Sequence, residues 1–167
     1  MHIPSIDQCV DFHGHICGGV AMGYAMSCFA MKQLGADRNE DLYCVVQFKN
    51  CMTDAVQYVT GCTAGKGNLE ICSIGKRAMT LVRRESGKGV RVTANFPFPE
   101  GVSKEEGARL ILAADPDTFC KAEEVCIEVP QRKPCRYGAC AACGEEFDLS
   151  YGVETDSGIL CPDCSKK

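Results

Sequence analysis

Two Cys-x-x-Cys pairs near the end of the chain, Cys140-Ala141-Ala142-Cys143 and Cys161-Pro162-Asp163-Cys164, restrict the fold more than any other feature. Seventeen residues separate them, a spacing that suits a four-thiolate zinc site in which each pair forms a knuckle and the chain between returns as a small hairpin. Gly144 suits the tight turn after the first pair, and Gly158 a turn inside the hairpin. A segment of about thirty residues cannot bury enough apolar surface to fold alone, so a metal crosslink would replace a core. Two disulfides or an iron–sulfur cluster are the competing uses of the same thiolates. Cys135 is nearby at a spacing that does not fit. Upstream, Pro130-Gln131-Arg132-Lys133-Pro134 reads as a linker. The expected division is a core domain over 1–130 and a zinc finger over 131–167.

Composition supports a soluble, reduced protein. The 167 residues are 46% hydrophobic and 24% charged, with a net charge of −4 and a pI near 5.4, which leaves no basic field to gather nucleic acid or an anionic membrane. Fourteen cysteines would mean a disulfide scaffold in a secreted chain, but the start Met1-His2-Ile3-Pro4 lacks the charged and apolar regions of a signal peptide. The longest uncharged run, Ile16 to Met31, is sixteen residues, short of the roughly 20 a spanning helix needs. A cytoplasmic location is expected, with cysteines that bind metal or pack as small hydrophobes.

The core carries a second concentration of ligands, Asp11-Phe12-His13-Gly14-His15-Ile16-Cys17-Gly18-Gly19, with two of the three histidines and a thiol within five residues. Such side chains bind transition metals or move protons near neutral pH. Positions 13, 15 and 17 would share a face if the backbone there is extended. Pro4 suits a first helical turn, so a short helix is expected over residues 4–12, and apolar spacing predicts a buried helix from Gly18 to Leu34 ended by Gly35. Gly19, Gly23 and Ser27 form a narrow stripe on it for close packing. After a strand over 42–48, Asn50 can cap a helix running from Cys51 to Thr60. Cys51 then sits in a first turn, where the dipole favours its thiolate, with Asp54 on the same face.

Strands are further expected at 77–82 and 90–95 as an antiparallel hairpin and at 125–129, and Ser103-Lys104-Glu105-Glu106 reads as a capping box. Thr63-Ala64-Gly65-Lys66-Gly67-Asn68 imitates a phosphate loop but lacks its spacing and its Ser or Thr, so a structural turn is the better reading. Without a strict βαβ repeat, the fold class is α+β: a mixed or antiparallel sheet with packed helices, plus the small C-terminal zinc finger.

Together these residues resemble the E-subunit family of formylmethanofuran dehydrogenase. The match lies in Phe12-His13-Gly14-His15-Ile16-Cys17, Cys51-Met52-Thr53-Asp54-Ala55-Val56-Gln57, Gly61-Cys62-Thr63-Ala64-Gly65-Lys66-Gly67-Asn68-Leu69 and Gly75-Lys76-Arg77-Ala78. Gly18 departs from the proline usual there. The last 30 or so residues look like the treble-clef finger that some members append, with a stunted final helix because only three residues follow Cys164. The resemblance implies an α+β core that dimerises, a link to methanogenesis by the family's name, and a redox enzyme's subunit as a possible partner. It leaves the activity open between an oxidoreductase-associated component or metal-dependent enzyme and a non-catalytic metal-handling or subunit-interaction module. On the catalytic reading Cys51, Asp54 and His15 would do the chemistry. A second transition metal, beside the structural Zn2+ of Cys140, Cys143, Cys161 and Cys164, would be held by His13, His15, Cys17 and Cys51.

Overall fold

The computed structural model describes residues 3–132 and 134–167, so Lys133 of the linker lies outside the described residues. The chain divides into two compact units, Met1–Val129 and Pro130–Lys167.

In the first unit, helix α1 (Ile6–His13) begins later than its proline suggests, because Ser5 is the cap: its hydroxyl accepts from Gln8 N while the Gln8 side chain accepts from Ser5 N. Gly14, at φ +98°, ends it. Helix α2 (Gly18–Leu34) is buried over most of its circumference, as its uniformly apolar sequence requires. Strand β1 (Leu42–Val46) then leads into α3 (Cys51–Thr60), capped by Asn50, whose side chain accepts from Met52 N. β2 (Leu69–Ile71), β3 (Ala78–Arg83) and β4 (Lys88–Ala94) follow. Helix α4 (Lys104–Ala113) is capped by Ser103, which accepts from Glu106 N, and β5 (Cys120–Cys126) closes the unit.

The five strands form one mixed sheet in the order β2-β1-β3-β4-β5, with β2 parallel to β1 and the other pairs antiparallel. The last strand begins five residues before the expected 125–129 segment. Its side chains are mostly exposed, so apolar alternation does not locate it; main-chain pairing of Cys120 to Cys126 with Ala94 to Lys88 defines it instead.

Helix α2 packs against both α3 and α4 and also lies on the sheet. Glycines allow the close contact between α2 and α3: a Cβ on Gly19 would stand 2.8 Å from Cys51 Cβ, and one on Gly23 would stand 2.5 Å from Met52 O. Advancing from Gly19 to Gly23 along α2 moves from Cys51 to Met52 and Ala55 along α3, so the two helices run in the same direction. Their beginnings therefore meet.

The second unit consists of two hairpins. β6 (Tyr137–Ala139) pairs with β7 (Glu146–Asp148), and β8 (Val153–Thr155) with β9 (Gly158–Leu160). The first cysteine pair occupies the β6–β7 connection, and the second follows β9 at the head of a 3₁₀ turn, Cys164–Lys166.

Candidate functional site

Where α1 ends and α2 and α3 begin, His13, Cys17 and Cys51 each offer a ligand atom, all within 4.8 Å of one another. Cys17 is the N-cap of α2 and its sulfur accepts from Val20 N at 3.5 Å. Cys51 is the first residue of α3. Burial, followed by the adjacent Cys17 sulfur, pushes the Cys51 thiol above its ordinary value, opposite to the lowering that its first-turn position alone predicts. His13 is the last residue of α1. Its Nδ1 lies 2.7 Å from Asp54 Oδ2, and its Nε2 is buried with no hydrogen-bond partner among the described residues. A carboxylate on one ring nitrogen and a vacant second nitrogen beside two sulfurs is the arrangement of a metal-binding histidine. These donors fit a borderline divalent ion.

Asp54 thus stands behind His13 rather than at the sulfurs. His15 lies outside the three-ligand set: its ring centre is 4.6 Å from that of His13, tilted by 42°, and it lines a cleft. The extended backbone that would align positions 13, 15 and 17 does not form, because α1 continues through His13 and Gly14 turns the chain.

The cleft, of about 440 Å³, has Cys17, Cys51 and His15 on one side and Phe98, Val102, Ser103 and Lys104 on the other. Sequence reasoning misses the second wall. Its signal is the Phe96-Pro97-Phe98-Pro99 run, whose prolines end strand pairing and leave aromatic rings outside the sheet. Phe98 packs on Phe96 at 5.0 Å, with the Arg77 guanidinium 5.5 Å from its ring centre.

The glycine-rich 63–68 segment is a structural turn. Buried Asn68 accepts from Thr63 N and donates to Leu42 O, while Lys66 Nζ donates to Gly61 O.

In the second unit, Cys140, Cys143, Cys161 and Cys164 place their sulfurs within 4.8 Å of one another. Backbone N–H groups of Cys143 and then Cys161 hold the Cys140 thiol low, at about 6; the Cys161 N–H donates to Cys140 Sγ at 3.3 Å. Hydrogen bonding with the Cys161 sulfur is the first of the effects that push Cys164 up to about 12. Four sulfurs that can all ionise only by repelling each other call for a cation between them.

Residues 12–122 match the family described as FmdE, molybdenum formylmethanofuran dehydrogenase operon. A probable S-adenosyl-L-methionine-binding protein of Archaeoglobus fulgidus is 47% identical over 91 residues, covering 51% of this chain and 25% of that protein. The chain therefore spans about a quarter of that relative's length. The crystal structure of an FmdE-like protein of tungsten formylmethanofuran dehydrogenase type, from Syntrophus aciditrophicus, superposes with a TM-score of 0.75 at 24% identity, covering 99% of this chain and 97% of that one. At that identity the likeness is one of fold.

Proposed function

The chain belongs to the FmdE family, and on that premise we propose that it is a metal protein with two different centres: an open site in the core that serves chemistry or exchange on a small molecule, and a closed zinc site in the tail. The observation that carries the first is the buried, unpartnered Nε2 of His13 beside two sulfurs, with Asp54 already on Nδ1. His13, Cys17 and Cys51 would hold the ion. Three protein ligands leave a position free, as in catalytic zinc sites, whereas four thiolates close a structural one. A bound divalent ion would supply Lewis acidity toward a ligand in the cleft. Asp54 fixes the His13 ring and its tautomer. Cys17 and Cys51 supply negative charge, and Val20 N stabilises the Cys17 sulfur. His15, beside the cleft and outside the ligand set, is free to carry a proton.

Elemental analysis tests this reading. Protein purified without nickel and dialysed against cobalt should carry two metals per chain, Cys51→Ser one, and Asp54→Asn should bind the core ion roughly 10–100-fold more weakly. A single metal per chain in the unaltered protein would refute the core centre. The homodimer implied by resemblance is part of the proposal, and sedimentation giving only monomer mass would remove it.

A further inference from the structure

We propose that the cleft binds a small organic anion, with its charged group held by Lys104 and the first turn of α4 and its apolar body against Phe98 and Val102. The inference deepens the reading of the core as a metal centre and rests on it for one contact, the end of the molecule that faces Cys17 and Cys51.

Charge is the first argument. The chain has 22 acidic residues against 18 basic ones, yet no carboxylate lines the cleft among the described residues; its titratable groups are His15, Cys17, Cys51 and Lys104. Lys104 is the only lysine or arginine in that lining among the described residues. Glu105 and Glu106, in the same helical turn and exposed like Lys104, lie outside the lining. The Ser103 hydroxyl accepts from Glu106 N, which fixes the helix start, and the first-turn N–H groups add the positive end of the dipole beside the lysine.

The floor is the core metal site: the His13 side chain is 10% exposed and its Nε2 is unpartnered, next to the Cys17 and Cys51 sulfurs that line the cavity, so an ion held there would face the cleft.

The apolar wall decides the body of the molecule. Phe98 remains 41% exposed although Phe96 and Arg77 hold its ring in place. Gly107 keeps that ring close to α4, since a Cβ there would come within 3.3 Å of Phe98 Cε1. An aromatic ring fixed and left open beside a cation selects an amphiphile over a simple inorganic ion. A volume of about 440 Å³ lies within the range of small-molecule sites and is too small for a polymer.

The test compares 3-phenylpropionate with uncharged 3-phenylpropanol by calorimetry on cobalt-loaded and metal-free protein. The carboxylate should bind more tightly in both forms. Lys104→Gln should weaken it roughly two- to fivefold and leave the alcohol unchanged, the effect of one exposed charged group. Lys104→Arg should restore it, and Phe98→Ala should weaken both compounds. Equal affinities for the two compounds, Lys104→Gln without effect, or no heat from either would overturn the proposal. The difference in cobalt–thiolate absorption between the unaltered protein and Cys51→Ser reads the core metal apart from the tail site, so the absence of that difference would refute the metal centre while the metal-free titration still judges the anion clamp.

Discussion

Substituting alanine at Gly23 tests whether the α2–α3 contact sets the core site. The new Cβ would stand 2.5 Å from Met52 O, 2.8 Å from Met52 Cα and 2.9 Å from Ala55 Cβ. Ordinary contact begins near 3.4 Å, so the carbonyl must retreat by about 0.9 Å, and a main-chain atom inside a helix cannot do so without moving α3. Overpacking of this kind costs about 1–3 kcal/mol. Alanine returns about 0.8–1.0 kcal/mol through its better helix propensity. The expected net loss is up to about 2 kcal/mol, or a drop of up to roughly 10 °C in thermal midpoint for a unit of this size. The displacement also moves Cys51 away from Cys17, so cobalt binding at the core should weaken while the tail remains loaded. Circular dichroism melting with metal analysis reads both effects. Gly18→Ala is the matched control, since its Cβ would find only Lys104 O at 4.0 Å. A Gly23→Ala protein as stable as the parent, with full core metal, would refute the close-packing argument.

Replacing Cys143 by serine should remove one metal per chain and disorder the tail while the core's thermal transition is unchanged; a collapse of the entire chain in the same melt would show that the two units do not fold separately. Burial raises the Cys28 and Cys62 thiols to about 11 from an ordinary 9.0. Because the folded values lie above the unfolded ones, the associated stability is present in full below pH 9.0 and is lost as pH rises through about 11. Urea denaturation at stepped alkaline pH should show that decline, and a flat profile up to pH 11 would contradict it.

Much of the fold is legible where local chemistry marks a boundary. Asn50 and Gly61 fix α3 at both ends, Gly35 ends α2, and the hairpin turn pairs β3 with β4. β5 escapes such reading because an exposed edge strand is defined by its neighbour's main chain rather than by its own pattern. The ligand types at the core are visible in sequence, but their division of labour is not. Whether His13 or His15 joins the sulfurs depends on how far α1 runs, and that is decided by Gly14, whose left-handed backbone ends the helix directly after His13. The wall of the cleft is invisible for a different reason: Phe98 and Lys104 meet Cys17 and Cys51 only through docking of α4.

Two helices that run in the same direction carry aligned dipoles, and where their beginnings converge the partial positive charges repel. In α2 and α3 each of those beginnings holds a cysteine, Cys17 at the cap of one and Cys51 at the first residue of the other. Ionised sulfurs there would turn a head-to-head repulsion into attraction, and the strand β1 between the helices would serve as the crossover that lets them run parallel. The cysteines of the core would then be electrostatic keystones of the helix pair as well as ligands. Serine at both positions would therefore loosen the metal-loaded fold from its N-terminal corner.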